Sequence, residues 1–403
     1  MIARPAIALG SFLLAGVVSF GPAHAADVIK IGDLNSYKAM AANMEPYRKG
    51  LDLAVAEINA AGGLLGKKLQ IVSRDDGANP GEAVRMADEL RLNEKVDVLT
   101  GTILSHVGVA VGDYARQHKT FFLASAPLTD KIIWEDGNRY TFRLRATTYS
   151  HAAAVVPHAA ALKRKRWALV YPNYEYGQSA VATFKALLKK AQPDVEFVAE
   201  LAPPLGKIDS GAVTQALADA KPDAIFNVLF GADLAKFVRE GSTRGLFEKT
   251  EVVSLLTGEP EYLDPLKDEA PANWYVTGYP WYAIKTPEHM AFLNAYQKRY
   301  NDYPRMASLV GYTTIKALAA GITKAGSTDS EKLVAAFEGL KFSSPSGELT
   351  FRALDHQATL GLYVGPLGLK NGKGVMTSYE YLDGAKLLPS DEAVRKQRTA
   401  SSN

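Results

Sequence analysis

Cysteine is absent from this chain, which excludes disulfides, thiolate metal ligands and the lipid-modified cysteine that tethers some exported proteins. An excess of either charge is missing too: 46 Lys and Arg against 43 Asp and Glu leave a formal net charge of +3 over 403 residues, too little to argue for nucleic acid. The basic cluster Lys163-Arg164-Lys165-Arg166 precedes an apolar strand and reads as a solvated helix end. Histidines never take H-E-x-x-H spacing, and no G-x-G-x-x-G follows a strand, so neither zinc hydrolysis nor dinucleotide chemistry is supported. Two partial motifs fail on a required residue. Gly177-Gln178-Ser179 begins a nucleophile elbow, but Val181 stands where the second glycine belongs. Gly62 to Lys67 is one residue short of a phosphate loop, and Lys68 replaces the hydroxyl residue.

Long apolar runs are equally scarce. An uncharged stretch from Ile7 to Phe20 follows Arg4 and ends in Ala23-His24-Ala25 before Ala26-Asp27. A basic start, an apolar stretch too short for a comfortable membrane span and an A-x-A signal predict export, with cleavage after Ala25. No other stretch offers 18 apolar residues, so the mature chain is expected to be soluble. With 47% hydrophobic and 22% charged residues it can bury the cores of two ordinary domains.

What is present is an alternation of strands and helices. Val28, Ile29 and Ile31 form a short apolar run bounded by Gly32, as in a buried parallel strand. Leu51, Ala54, Val55 and Ile58 give the next segment one apolar helical face, stopped by Gly62 and Gly63. Leu69 to Ser73 reads as a strand, and Asn79-Pro80-Gly81 turns into a helix from Glu82 to Leu92. The alternation runs on through strands at Val96 to Gly101 and Thr120 to Ala124. A second block holds strands at Trp167 to Tyr171, Val195 to Glu200, Ala224 to Phe230 and Glu251 to Leu256. The order implies two doubly wound α/β sheets, whose ligands belong at the loops on the strands' carboxyl ends. Those loops are Asn35 to Asn43, Gly101 to Ser105 and Ser125 to Thr129 in the first block. In the second they are Asn173 to Gly177, Phe230 with Gly231, and Thr257 to Glu259, joined by Tyr149. Asp75 and Asp76 end a strand and are read as loop organisers and helix caps. His106 stands at another strand's end, facing either solvent or the cleft.

In order along the chain, EINAAGG, DD-x-x-x-P, Y-x-YG and VTGYP together resemble the periplasmic amino-acid-binding proteins of the leucine/isoleucine/valine family. The resemblance covers essentially the whole mature chain. It implies an α/β fold of two Rossmann-like lobes joined by a three-segment hinge, the type I periplasmic binding protein arrangement. Crossovers are expected at YTFRLRA (Tyr140 to Ala146), at NWYVTGYPWY (Asn273 to Tyr282) and at SGELTF (Ser346 to Phe351). The expected division is a signal peptide at 1–25, a first lobe at 26–146 with 278–348, a second at 147–277 with 349–395, and a tail at 396–403.

In the family a serine grips the ligand α-carboxylate, and the matching position is Ser105. The next family loop corresponds to Ala124 to Thr129, with Leu128 at the family threonine and Thr129 one residue on. Tyr176 matches a tyrosine covering the ligand, and Phe230 keeps the ring of another without its hydroxyl. The acid that holds an α-ammonium falls on Glu259. The expected ligand-binding residues are Ser36, Asn43, Ser105, Ser125, Ala126, Thr129, Tyr149, Tyr176, Phe230, Thr257, Glu259 and Trp281. No catalytic residue, metal or cofactor is expected. The chain is expected to be a monomeric periplasmic component of an ABC importer, working with an inner-membrane permease. Its ligand is a small carboxylate: first an apolar amino acid, alternatively an aromatic or other organic acid. Sensing for a membrane receptor would use the same clamp. An exported hydrolase is the remaining class, but no spacing joins serine, histidine and acid.

Overall fold

A computed structural model describes residues 1–2 and 28–398; the expected signal segment, its cleavage site and residues 399–403 lie outside the described residues. The chain opens with β1 (Val28–Asn35), α1 (Ala41–Ala60), β2 (Lys68–Asp75), α2 (Pro80–Leu92), β3 (Val98–Gly101), α3 (Ser105–His118), β4 (Phe122–Ala124) and β5 (Thr141–Arg143). These five strands form a parallel sheet in the order β2-β1-β3-β4-β5. Ile29, Ile31 and Leu34 are buried in β1, as the apolar run requires. The turn into α2 is capped by Asn79, whose side chain accepts the Glu82 N–H at 3.0 Å, with Pro80 opening the helix. Asp76 serves the loop instead, accepting from Ser36 Oγ at 2.6 Å and from the Ala78 N–H at 2.9 Å.

The second block comprises α4 (Thr148–Ala161), β6 (Arg166–Val170), α5 (Glu175–Ala191), β7 (Glu196–Leu201), α6 (Ser210–Ala220), β8 (Ala224–Asn227), α7 (Gly231–Thr243), β9 (Glu251–Gly258), α8 (Pro260–Leu263) and β10 (Tyr275–Gly278). The chain then returns to the first core with α9 (Pro287–Tyr300), α10 (Met306–Ala325), α11 (Ser330–Phe337) and a hairpin of β11 (Lys341–Ser344) and β12 (Gly347–Thr350). β13 (Leu362–Lys370), β14 (Lys373–Met376) and β15 (Glu380–Leu382) complete the second sheet, followed by α12 (Gly384–Leu387) and α13 (Asp391–Arg398). Strands β7, β6, β8, β9 and β10 are parallel, whereas β13 joins β10 antiparallel and carries β14 and β15.

Each sheet has its own apolar core. Core membership changes between Leu144 and Ala146, between Val276 and Tyr279, and between Leu360 and Leu362. The third change lies later in the chain than the crossover read from SGELTF. That segment instead pairs with Lys341–Ser344 and packs Leu349 and Phe351 on the first core. Val394 of α13 also belongs to the first core.

The longest helices, α1 and α10, pack closely because each offers a glycine to the other's backbone. A Cβ on Gly50 would lie 2.1 Å from the Ser308 carbonyl oxygen, and one on Gly311 would lie 2.2 Å from that of Tyr47. This contact fixes the N-terminus of α10 beside the cleft between the sheets, where Glu261 of α8 reaches across. Its carboxylate accepts the Met306 N–H at 3.2 Å and the Ala307 N–H at 2.6 Å, supplying acceptors to donors the helix itself cannot satisfy. Further bonds bridge the sheets: Asn43 Nδ2 to Tyr262 at 3.1 Å, Thr129 Oγ1 to Glu175 at 2.7 Å, and Tyr303 OH to Asp264 at 2.9 Å. The two lobes are therefore in contact across the cleft.

Candidate ligand-binding cleft

In an open parallel sheet, ligands collect outside the carboxyl ends of the strands, where the order reverses direction. In the first sheet that reversal lies between β1 and β3; in the second it lies between β6 and β8. The loops leaving those four strands meet at one narrow cavity of about 20 Å³. Met40 comes from the loop after β1, and Ile103, Leu104 and Ser105 from the loop after β3. Tyr174 and Tyr176 follow β6, and Phe230 follows β8. Ala126 and Leu128 after β4, Leu256 of β9, Tyr262 of α8 and Arg145 of the first crossing close the walls.

Aromatic rings build one side. Tyr176 and Phe230 meet edge to face at 5.8 Å between centroids, Tyr174 lies 6.1 Å from Tyr176, and Tyr262 lies 6.3 Å from Phe230. Among the described residues, the ionisable groups on the walls are Arg145 and the tyrosines. Arg145 Nη2 donates to Glu259 Oε1, both side chains being almost fully buried, while Arg145 Nε has no hydrogen-bond partner. The Tyr176 hydroxyl is likewise buried and unpartnered.

Electrostatics sharpen this picture. Burial pushes the Glu259 carboxyl up, Arg145 pulls it down and nearby Glu261 pushes it up again, leaving it at about 7. Burial would lower the Arg145 guanidinium, yet Glu259, Tyr262 and Glu261 hold it above its ordinary value. A guanidinium gives up its proton least readily of all side chains, so Arg145 stays charged and the carboxyl is the partner that yields. His151, buried beside Arg145 and Arg143, is driven well below its usual value by burial and by those cations, and is neutral.

Ser105 occupies the first turn of α3. Its Oγ accepts the N–H groups of Leu128 at 3.3 Å and Thr129 at 3.2 Å, which leaves the hydroxyl proton to be donated elsewhere. Ala126, Tyr176 and Phe230 join Ser105 on the cavity wall. Two further sequence-predicted residues stand one contact behind it: Asn43 through Tyr262, and Glu259 through Arg145. The other six do not line this cavity. Ser36 donates to Asp76, Ser125 accepts from Tyr47 OH at 3.0 Å, and Thr129 donates to Glu175. The ring of Tyr149 packs edge-on against Trp134 at 5.6 Å. Thr257 shares a 2.5 Å hydrogen bond with Ser254, and Trp281 lines a different cavity. His106 sits behind the wall, its ring edge-on to Tyr174 at 5.4 Å and its Nε2 3.3 Å from the Ala78 carbonyl.

Most of the remaining wall lies within the loops predicted from sequence; Arg145, Leu256 and Tyr262 do not. Arg145 sits in YTFRLRA, where alternation with apolar neighbours is the pattern of a half-exposed strand, and its burial has no local signal. Among the described residues, no cluster of three or more His, Cys, Asp or Glu side chains is placed to hold a metal ion, and no helix is long and apolar enough to cross a membrane.

Comparison with known proteins places these features among relatives. The family model for periplasmic binding proteins matches residues 29–373. The leucine-, isoleucine-, valine-, threonine- and alanine-binding protein of Pseudomonas aeruginosa is 25% identical over 345 residues, 84% of this chain and 89% of its own. A solute-binding protein of an ABC transporter from Rhodopseudomonas palustris, solved with 3,4-dihydroxybenzoic acid, superposes with a TM-score of 0.78 at 23% identity, covering 89% of this chain and 99% of that one. A branched-chain amino acid transporter substrate-binding protein from Streptococcus pneumoniae, solved with isoleucine, superposes with a TM-score of 0.76 at 23% identity, covering 89% and 100%.

The buried ion pair makes a stability prediction. Without Arg145, nothing opposes burial and Glu261, so the folded-state value of Glu259 rises further while its unfolded value stays near 4.5. A carboxyl raised on folding costs stability above its unfolded value, and the cost grows until pH passes the folded value. Arg145→Met should therefore lose about 3 kcal/mol at pH 8 and distinctly less at pH 5 in urea denaturation. Equal losses at both pH values would contradict a buried, unpaired carboxyl.

Proposed function

The chain belongs to the periplasmic binding protein family, and on that premise we propose that it captures an aromatic carboxylate lacking an amine and delivers it unchanged to the permease of an ABC importer. The observation that carries this reading is the charge of the cleft: one guanidinium with an unpartnered, buried Nε and no free carboxylate beside it. An amino acid brings an ammonium that needs a dedicated anion, because a buried charge without a partner costs several kcal/mol. Glu259, the residue expected to meet it, is already held by Arg145, and Glu261 is bonded to the start of α10. A carboxylate, by contrast, finds Arg145 Nε and the Ser105 hydroxyl. A ring finds Tyr174, Tyr176, Phe230 and Tyr262, and a ring hydroxyl finds the unpartnered Tyr176 OH.

The relatives support both ligand classes drawn from the sequence. Solved neighbours from Rhodopseudomonas palustris hold 3,4-dihydroxybenzoic acid, benzoate and 4-hydroxybenzoate, whereas the Pseudomonas aeruginosa and Streptococcus pneumoniae relatives are named for amino acids. The order of preference taken from sequence, apolar amino acid first, is reversed here because of the Arg145–Glu259 pair. Walls contributed by both lobes make the ligand a bridge, so binding favours the closed form by the difference in its contacts between open and closed states. Export to the periplasm and a monomeric state belong to the same proposal.

Isothermal titration separates the two classes. 4-Hydroxybenzoate should bind and leucine should not. Arg145→Met should weaken 4-hydroxybenzoate by about 100-fold, as expected for loss of a buried charged contact. Leucine binding more tightly than any benzoate would overturn the assignment.

A pH dependence follows from the same geometry. An anion placed on Arg145 competes for its charge and pushes the Glu259 carboxyl further up, so binding takes up protons. Protonation favoured in the complex makes affinity rise as pH falls. Between pH 8 and pH 6, where a benzoate stays ionised, affinity should increase by about threefold, and Glu259→Gln should flatten the profile. Affinity that rises with pH would contradict this arrangement.

A further inference from the structure

A second, larger cavity of about 390 Å³, open in part to solvent, lies beside the second crossing between the lobes. It shares no wall residue with the cleft. Consecutive residues of the short helix α8 and its end divide the two spaces: Tyr262 faces the cleft, while Leu263 and Asp264 face this cavity. Its floor is an aromatic shelf, the Trp281 indole stacked on the Tyr303 ring at 4.5 Å with an interplanar angle of 8°. The Arg305 guanidinium lies 4.8 Å from the Tyr303 ring centre.

Charge on the lining is unbalanced. Asp264 accepts from Tyr303 OH at 2.9 Å through one oxygen; the other, Oδ2, is buried without a hydrogen-bond partner, 3.4 Å from Arg305 Nε and within the field of Lys373. The ammonium groups of Lys267 and Lys373 make no side-chain hydrogen bond or ion pair among the described residues. They approach from different elements, Lys267 from the turn after α8 and Lys373 from the tip of the β13–β14 hairpin. A half-buried stacked shelf presents a flat apolar surface, and the two ammonium groups at its rim, with Arg305, outnumber the Asp264 carboxylate and favour negative charge.

We infer that this cavity is a second binding site, separate from the cleft, for a planar aromatic anion that lies against the Trp281–Tyr303 shelf and is held by Lys267 and Lys373. The inference does not rest on the ligand assigned to the cleft. Because Trp281 packs on the first core and stacks on Tyr303, which joins α9 to α10, while Lys267 and Lys373 are carried by the second lobe, an occupant contacts both lobes and its affinity is linked to the angle between them.

The test uses 1-naphthoate as probe and 1-naphthylmethanol as its neutral counterpart, titrated into the purified protein by calorimetry. Naphthoate should bind, and the alcohol should bind about tenfold more weakly or worse. The double variant Lys267→Glu, Lys373→Glu alters exposed side chains and keeps the fold. It should weaken naphthoate by more than about tenfold, and Trp281→Ala by about fivefold. Binding should persist in Arg145→Met, or in Phe230→Ala if Arg145→Met does not fold. No naphthoate binding at millimolar concentration would overturn the inference, as would binding indifferent to the lysine reversals. Binding lost with the cleft variant instead would place the probe in the cleft and overturn it equally.

Discussion

One buried guanidinium organises the junction between the lobes. Arg145 leaves the first sheet two residues after β5 and enters a space walled by both cores, where an isolated charge would be prohibitively expensive. Glu259, at the end of β9, supplies the counter-charge from the second sheet, and Gln357 anchors the same segment by donating to the Arg145 carbonyl at 3.0 Å. The pair therefore has two roles. It ties the first crossing to the second lobe, and it occupies the Glu259 carboxylate. In the proposed function, a ligand meets one face of a cation, the unpartnered Arg145 Nε.

The rest of the architecture delivers walls to that cation. Two sheets, each reversing the order of its parallel strands one strand in from an edge, point those strands' carboxyl ends toward the cleft, so four loops converge without any long insertion. The loop after β3 enters α3 directly, placing Ser105 where its hydroxyl accepts two backbone donors and retains its own proton. The loops after β6 and β8 begin helices with aromatic residues, and these rings form the second lobe's wall. Contacts across the cleft are both polar, as with Glu261 at the start of α10, and apolar, with Leu128 in the second core and Met40 and Tyr174 packed against both cores.

Strand and helix order was legible in the sequence because apolar periodicity and turn residues agreed at each step, as in VIKIG, the Leu51 to Ile58 face and Asn79-Pro80-Gly81. The loops of the site were legible for the same reason: they are strand ends, and strand ends follow from the strands. Individual roles were not. Ser36, Ser125, Thr129 and Thr257 are polar residues in the right loops whose side chains are spent on neighbours, a matter of tertiary contacts that no spacing reveals. Glu259 was legible as a carboxylate at a strand's carboxyl end, but its partner Arg145 lies 114 residues away in a segment that reads as an ordinary strand. Tyr262 belongs to a four-residue helix, too short to have a period. Trp281 was read from the sequence as a cleft residue beside a crossover, yet its ring stacks on Tyr303 and lines a different cavity. The SGELTF segment has the alternation of a strand and forms one, but in a hairpin on the first core instead of a passage between lobes.

The most direct test of the central claim is a crystal structure of the protein soaked with 4-hydroxybenzoate. The account predicts the ligand carboxylate within hydrogen-bonding distance of Arg145 Nε and Ser105 Oγ, its ring among Tyr174, Tyr176, Phe230 and Tyr262, and Glu259 still bonded to Arg145. A ligand bound elsewhere in the cleft with Arg145 untouched, or Glu259 released from Arg145, would contradict it.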